Sequence, residues 1–206
     1  MIPQEQGSQQ WLQWRKKRVG ASDAPVIAGV SPYKSIGQLW EEKLGIRSDE
    51  EPNEHMIRGK EMEEEARQCA EKILGKNFFP HVVGHPKLEW MFASLDGETM
   101  EHDAIIEIKC PGGKDHAIAL KGQVPEKYVP QLQHIMSVTG YDEIFYFSYR
   151  DGSGKIIRHA RDEAYIDKII EKERRFHVLL MKGFDEIEKH DHRIEAMKDE
   201  LYRILE

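Results

Sequence analysis

A long helical pattern followed by three short β-type runs constrains the fold of this chain more than any other feature. Residues 57–75 form a predicted helix that ends at Gly75, with Met62, Ala66, Cys69, Ala70 and Ile73 on one apolar stripe. The runs 77–84, 88–97 and 103–110 follow, separated by turn residues. Since consecutive strands with short connections tend to pair with each other, the sequence predicts an antiparallel meander after the helix.

Further helical and β-type patterns surround the meander. Two β-type runs flank Asp151-Gly152, a dipeptide typical of a hairpin turn. The C-terminal tail is predicted to be helical, with a break at Gly183. The predicted helices are 8–19, 35–45, 125–139 and 163–205, and the predicted hairpin strands are 143–150 and 155–162.

This order of elements predicts a mixed α/β (α+β) fold with a central mixed β-sheet flanked by helices. At 206 residues the chain fits a single domain, 1–206. We expect a core over about 8–182 and a C-terminal helical extension over 183–206. The extension is amphipathic, and it packs either on its own domain or on a neighbouring subunit.

The hydrophobic pattern argues against a membrane protein. No apolar run reaches the roughly 18 residues that a membrane-spanning helix needs. The N-terminal stretch MIPQEQGSQQWLQW has neither the basic nor the apolar region of a signal peptide. We therefore expect no membrane partner and residence in the cytoplasm.

Charge and cysteine content restrict the function. The net charge of −7 at pH 7 argues against a protein that coats nucleic acid through widespread phosphate contacts. A cleft with local positive charge stays compatible with it, and residues 15–18 form the densest basic run. The two cysteines, Cys69 and Cys110, are too few for a four-thiolate metal site or a disulfide scaffold.

The segment 103-DAIIEIKCPGG-113 places opposite charges two residues apart. Because strand side chains alternate, Glu107 and Lys109 share one face, and Ile106, Ile108 and Cys110 share the other. The apolar face belongs to the core. The charged face is either a salt bridge or half of an active site.

Asp96 precedes this strand in Ser-Leu-Asp-Gly, so its carboxylate can share a cation with Glu107 on a paired strand. Mg²⁺ uses hard oxygen ligands and keeps several waters, so two or three carboxylates suffice. Lys109 would position an attacking water and offset phosphate charge, as nuclease chemistry requires. The competing interpretation is a pair of surface carboxylates with a salt-bridging lysine. A third acid, Glu63, lies in a charged helical segment whose simpler interpretation is a solvated face.

Five segments in this order resemble the lambda-exonuclease (YqaJ-type viral recombinase) family, a branch of the restriction-endonuclease-like nucleases. The resemblance spans roughly residues 8–182. Its segments are Trp11…Arg15…Ala21-Ser22, Gly59-Lys60…Glu63…Ala66, Ser94-Leu95-Asp96-Gly97, Glu107-Ile108-Lys109-Cys110-Pro111 and Tyr128…Gln131-Leu132-Gln133. The resemblance implies a restriction-endonuclease-like core.

The resemblance also implies a role for each matching residue. Lys109 corresponds to the catalytic lysine, and Gln131 to an active-site glutamine that orients water or phosphate. Arg15 and Ser22 correspond to residues that grip the 5′-terminal phosphate of DNA, where a guanidinium suits the oxygens. The implied metal ligands are Glu63, Asp96, Glu107 and the carbonyl of Ile108.

By the same resemblance, the protein is expected to be an exonuclease that uses Mg²⁺, with Mn²⁺ as an alternative and two ions per site. It would digest the 5′-ended strand of linear duplex DNA to mononucleotides. The resemblance further implies a ring-shaped homotrimer, a single-strand annealing protein as partner, and a phage or prophage origin in a bacterial host. The alternatives are a restriction- or repair-type endonuclease, a non-catalytic DNA-end-binding module, and a structural metal-binding protein.

Three other residues invite functional interpretations but are predicted to be structural. Trp11 and Trp14 could wedge between bases, yet aromatic residues at this helical spacing usually pack in a core. His134 follows Gln131 by three residues and is predicted to be a hydrogen-bonded interior or interface histidine. The other histidines are scattered without the spacing of a zinc site.

Overall fold

The computed structural model describes residues 8–48, 54–188 and 194–205. In this part of the chain, six strands form one mixed sheet. The strands are β1 (Val19–Gly20), β2 (Phe79–Gly84), β3 (Met91–Glu98), β4 (Ile105–Lys109), β5 (Glu143–Arg150) and β6 (Ser153–Ala160). The helices are α1 (Gln9–Lys16), α2 (Ala24–Ile27), α3 (Ile36–Leu44), α4 (Glu54–Leu74), α5 (Gly113–Leu120), α6 (Val129–Thr139), α7 (Glu163–Glu188) and α8 (Ile194–Tyr202).

The sheet contains both antiparallel and parallel pairs. β2, β3 and β4 form the predicted antiparallel meander. β5 lies parallel to β4, reached by a crossover through α5 and α6. β5 and β6 form the predicted hairpin, which turns at Asp151 and Gly152 with φ angles of 51° and 77°. Both angles are positive, as a tight hairpin turn of this kind requires. The prediction of a central mixed sheet flanked by helices is confirmed.

One edge of β3 is divided between two strands. Phe92 pairs with Gly20 of β1 and with Gly84 of β2, so these two strands lie on opposite edges of β3. At the other end of β3, Glu98 pairs with β2 and also with β4. β1 and β4 therefore share one edge, and residues 93–96 lie between their ends. This gap opens the sheet at the position of Asp96.

Helices cover both faces of the sheet. On one face, Ala66 and Ala70 of α4 pack with Ile106 and Ile108, which confirms the predicted apolar face of β4. On the other face, α6 packs against β3 and β4. The small side chains of α4 let it approach the sheet closely. Ile73, predicted on the buried stripe of this helix, is 54% exposed, so the prediction is wrong for that residue.

A further cluster of buried apolar side chains joins the N-terminal helices to the C-terminal ones. Trp40 of α3 and Phe176 of α7 are fully buried in it. Leu201 and Ile204 enter the same cluster, so α8 and the residues after it dock on α3 and α7 of their own chain. This contact decides between the two packing alternatives for the C-terminal segment.

The predicted helix break at Gly183 is wrong, because α7 continues through it to Glu188. A Cβ at Gly183 would lie 2.7 Å from Cζ2 of Trp40 and 2.9 Å from Cδ1 of Leu44. The glycine therefore allows α7 to approach α3 and does not end the helix. The first predicted helix is also shorter than expected: α1 ends at Lys16, and β1 follows.

No described helix has both the length and the apolar composition needed to cross a membrane.

Candidate active site

The gap in the sheet edge lies in a cleft of about 1130 Å³. Its walls come from α1, the segment after β1, α4, the ends of β3 and β4, and the turn before α6. Six of the eight predicted site residues line it: Arg15, Ser22, Glu63, Asp96, Ile108 and Lys109. The other two, Glu107 and Gln131, reach the cleft through hydrogen bonds to Lys109 and to each other.

Glu107 is the centre of a buried hydrogen-bond group. It is 1% exposed, and its Oε1 accepts from Nζ of Lys109 at 2.5 Å and from Nε2 of Gln131 at 2.6 Å. Strand alternation turns Glu107 and Lys109 to the face that α6 covers, and Gln131 lies in the first turn of that helix. The predicted salt bridge between Glu107 and Lys109 is therefore present, and it lies beside the cleft that the predicted site residues line.

A β-bulge turns Asp96 towards β4. Phe79 pairs with Glu98 and His81 with Leu95, so two steps along β2 match three along β3. The extra residue lies between Leu95 and Glu98, and bulges commonly redirect a side chain next to a functional site. Oδ2 of Asp96 accepts a hydrogen bond from the backbone N–H of Ile108 at 2.7 Å. The bulge thus brings the carboxylate to the end of β4.

When both are ionised, the carboxylates of Asp96 and Glu107 carry more negative charge than Lys109 neutralises. Burial, and next the nearby carboxylate of Glu107, raise the pKa of Asp96 to about 8, although Lys109 opposes this. Burial lowers the pKa of Lys109, but the charges of Glu107 and Asp96 outweigh it and raise that pKa above its usual value. An ionised Asp96 beside Glu107 therefore calls for further positive charge.

The donor set fits a hard divalent cation. Oε2 of Glu107 is buried and has no hydrogen-bond partner, although a buried carboxylate oxygen normally finds one. Asp96 supplies a second carboxylate within electrostatic reach. Mg²⁺ completes its coordination with water and substrate oxygens, so two protein carboxylates are enough to hold it.

Glu63 occupies a looser position than these two acids. It is exposed on α4, lines the cleft, and contributes to the raised pKa of Asp96. Within the described ranges, no three His, Cys, Asp or Glu side chains are grouped so that they could hold a metal ion. The predicted set of three acids is therefore not preassembled, and Glu63 lines the cleft from α4.

The same cleft is lined by the predicted phosphate-binding pair. Nη2 of Arg15 donates a hydrogen bond to Oγ of Ser22 at 2.9 Å. The guanidinium also lies 5.1 Å from the ring centroid of Trp11. Trp11 is buried, as predicted, and so gives Arg15 a rigid base. A planar guanidinium beside a hydroxyl suits recognition of a phosphate.

A buried ion pair that the sequence does not predict supports the segment that carries Ser22. Nζ of Lys43 lies 2.7 Å from Oδ2 of Asp23, which also accepts from the backbone N–H of Gly20 at 2.8 Å. Burial raises the pKa of Asp23, but the charges of Lys43 and Arg15 outweigh it and lower the pKa overall. The pair therefore fixes the segment that carries Ser22.

The fold and the site together define a mixed α/β protein with an acidic centre and a cationic pair in one cleft. Residues 10–142 match the YqaJ-like viral recombinase domain, and the chain belongs to this family. The resemblance inferred from the sequence is confirmed. The chain is also 28% identical over 178 residues to the uncharacterized protein YqaJ of Bacillus subtilis (strain 168). That alignment covers 84% of this chain and 56% of the relative, so the chain spans little more than half of that protein's length.

Solved structures share the fold over most of the chain. The alkaline exonuclease LHK-Exo from Laribacter hongkongensis superposes with a TM-score of 0.75 at 26% identity, covering 89% of this chain and 97% of the other. LHK-Exo in complex with dAMP gives a TM-score of 0.73 at 26% identity, with the same coverage. A phage-related exonuclease from Haemophilus somnus 129PT gives 0.58 at 17% identity, covering 84% of this chain and 96% of the other, which shows the common fold.

Proposed function

We propose that the protein is a metal-dependent exonuclease that digests the 5′-ended strand of linear duplex DNA. The observation that carries the proposal is the cleft itself, which is lined both by an acidic group (Asp96, with Glu107 bonded to Lys109) and by a cationic pair (Arg15 with Ser22). Family membership and the similarity to an alkaline exonuclease support a nuclease role.

The acidic group of Asp96 and Glu107, with Lys109, would carry out the hydrolysis. Asp96 and Glu107 would hold Mg²⁺, or Mn²⁺, with the carbonyl of Ile108 and the carboxylate of Glu63 as further ligands, and we propose two ions per site. When bound, such ions activate water and neutralise charge on the phosphate. Lys109 would orient the attacking water and offset the charge that develops on the phosphate oxygens. Gln131 holds Glu107 in place through its 2.6 Å hydrogen bond.

The cationic pair would make the enzyme dependent on a DNA end. Arg15 and Ser22 would bind a 5′-terminal phosphate, which a continuous strand does not offer. Cleavage at the acidic group would then release one nucleotide and leave a new 5′-phosphate on the remaining strand. The complex of LHK-Exo with dAMP, a mononucleotide, is consistent with this product class.

The family also suggests how the protein works with partners. We propose a homotrimeric ring around DNA, which would keep the substrate bound despite the net charge of −7. A ring holds DNA topologically, so it needs fewer phosphate contacts over its surface. The 3′ single strand left by digestion would pass to a single-strand annealing protein in phage-type recombination, inside the bacterial host cell.

A comparison of linear and circular DNA tests the function. Linear duplex with a labelled 5′-phosphorylated strand and a closed circular plasmid are incubated with Mg²⁺ or with a chelator. We expect Mg²⁺-dependent release of labelled mononucleotides from the linear DNA, none from the circle, and no activity in Lys109→Ala. Lys168→Ala, which removes an exposed lysine from α7, is the matched control and should stay active.

Each alternative function predicts a different result. An endonuclease would cut the closed circle. A non-catalytic end-binding module would retain linear DNA without cutting it. A structural metal-binding protein would bind Mg²⁺ or Mn²⁺ and ignore DNA.

A further inference from the structure

Tyr33 presents a large aromatic ring to solvent at the rim of the cleft. Its side chain belongs to the loop between α2 and α3, lines the cleft, and is 70% exposed. Single exposed apolar residues are common on proteins and by themselves indicate nothing. Tyr33 differs because polar contacts hold it in a fixed position beside the candidate catalytic residues.

Lys127 fixes the ring from the opposite wall of the cleft. Its Nζ donates a hydrogen bond to the hydroxyl of Tyr33 at 2.6 Å and forms an ion pair with Asp115 at 2.6 Å. The same nitrogen lies 4.7 Å from the ring centroid of Tyr33. The nitrogen therefore lies over one face of the ring, towards its hydroxyl end. The side chain is 70% exposed, so much of the ring stays open to solvent.

A continuous row of side chains joins Tyr33 to the catalytic lysine. Nζ of Lys127 lies 5.1 Å from the ring centroid of Tyr128, and that ring lies 5.8 Å from Nζ of Lys109. Two side chains thus separate the exposed ring from Lys109. Proteins that bind single-stranded nucleic acid combine cationic grooves with aromatic rings on which bases stack. The row has both components.

We propose that Tyr33 is a stacking platform for an unpaired nucleobase of the strand that enters the cleft, next to the phosphate that is cut. The inference rests on the proposed function and adds a base contact to it. Tyr33 is a binding residue in this view, and the Lys127–Asp115 pair positions it. Since every base has an aromatic face, the contact would hold a frayed 5′ end without selecting a sequence.

Fluorescence of 2-aminopurine tests the contact without hydrolysis. The probe is a 5′-phosphorylated duplex with a short unpaired 5′ end and 2-aminopurine at each of the first three positions in turn. Binding is measured with Mg²⁺ in the Lys109→Ala background, by 2-aminopurine emission and by anisotropy of a distant label. Added substitutions are Tyr33→Ala, Tyr33→Phe and Phe79→Ala. Phe79 is the matched control, an aromatic residue that is 49% exposed on β2 outside the cleft.

We expect emission to fall on binding at one position and to stay unquenched there in Tyr33→Ala, with affinity about tenfold weaker. Tyr33→Phe and Phe79→Ala should keep both the quenching and the affinity within about threefold, because both leave the platform ring in place. An abasic nucleotide at the quenched position should weaken binding to the Tyr33 protein, and Tyr33→Ala should then add no further loss.

Three results would overturn the inference: equal quenching in Tyr33→Ala, an undiminished effect of Tyr33→Ala on abasic DNA, or no binding of DNA by any variant. The second result would mean that Tyr33 acts only by holding Lys127. The proposed function is judged separately, by cleavage with unsubstituted protein. If that protein binds DNA without cutting it, the exonuclease proposal fails while the fluorescence still decides the role of Tyr33.

Discussion

Gln131 donates a hydrogen bond across 2.6 Å to Glu107, and so joins the first turn of α6 to the end of β4. Only one oxygen of Glu107 is involved, because Lys109 donates to the same Oε1 while Oε2 is left without a partner. The carboxylate is therefore held in orientation while one oxygen stays available to a ligand. Groups that orient a metal-binding side chain in this way affect metal affinity as well as activity.

Gln131→Ala should lower kcat by about 10- to 100-fold and raise the Mg²⁺ concentration needed for half-maximal activity. The reason is that Glu107 would lose one of its two orienting donors. Cleavage of linear duplex is measured over a Mg²⁺ titration, and thermal unfolding is followed in parallel. Unchanged kcat and unchanged Mg²⁺ dependence in a folded variant would show that Gln131 does not orient the acid.

Arg15→Lys should abolish the preference for a 5′-phosphate over a 5′-hydroxyl. Lysine keeps the charge but loses the planar fork that binds two oxygens at once. The ratio of kcat/KM on the two substrates should fall by about tenfold, mainly through the phosphorylated one. Ser22→Ala should act in the same direction with a smaller effect, and both variants should cut hydroxyl-ended DNA as the unsubstituted protein does. If both substrates slow equally, Arg15 serves the fold or the chemistry and not the end.

Asp96→Asn should stabilise the protein in the absence of metal and abolish activity. The amide keeps an oxygen for the N–H of Ile108 but removes the charge whose burial, together with repulsion from Glu107, raises the pKa of Asp96. We expect Tm to rise by about 2–4 °C with chelator, the shift that about 1 kcal/mol produces in a chain of this size. Addition of Mg²⁺ or Mn²⁺ should raise Tm of the unsubstituted protein and leave the variant unchanged. A lower Tm in the variant would contradict the repulsion.

Asp23→Asn should destabilise the protein by about 3–5 kcal/mol, because it leaves the buried ammonium of Lys43 without its counter-charge. The double substitution Asp23→Asn, Lys43→Met should recover part of this loss, since no charge is then left buried. Urea unfolding of the three proteins measures the effect. A double variant no more stable than Asp23→Asn alone would show that the ion pair is not the cause.

The buried pair His134–Glu173 should make stability fall at alkaline pH. Nδ1 of His134 lies 2.7 Å from Oε1 of Glu173, and Nε2 lies 2.9 Å from the carbonyl oxygen of Phe92. Burial lowers the pKa of His134, but the charge of Glu173 and these hydrogen bonds outweigh it and raise the pKa. The folded protein therefore binds this proton more tightly than the unfolded chain.

The sign of the pH dependence follows. The stabilisation is complete below the unfolded pKa of about 6.5 and is lost as pH rises through the higher folded pKa. Unfolding free energy should thus decline from about pH 7 upwards, and His134→Gln, Glu173→Gln protein should decline less steeply. Parallel curves for the two proteins would assign the pH dependence to other groups.

Local periodicity was enough to predict the residues on one strand or one helix. Alternation along 103–110 predicts that Glu107 and Lys109 share a face and that Ile106 and Ile108 enter the core, and both predictions are confirmed. The structure also confirms that Trp11 and His134 are interior residues. These positions depend on a repeat of two or of 3.6 residues, which is visible in any short window.

Tertiary contacts were not visible in the same way. Asp23 and Lys43 are twenty positions apart, and no repeat connects them. The sequence does not predict helix α5, and it predicts a break at Gly183 because glycine usually weakens a helix. The presence of glycine at this position is explained by the close approach of Trp40, a residue more than a hundred positions earlier. A short stretch of sequence indicates the preferred backbone conformation, but it does not indicate which distant side chains pack against each other.

The extra residue in β3 interrupts regular pairing with β2 at the strand that carries Asp96. Deleting Gly97, between Asp96 and Glu98, would let β2 and β3 pair in unbroken register. The same deletion would move the carboxylate of Asp96 away from the end of β4. A search for more stable variants would therefore favour a regular strand at this position, whereas the proposed metal site depends on the irregularity.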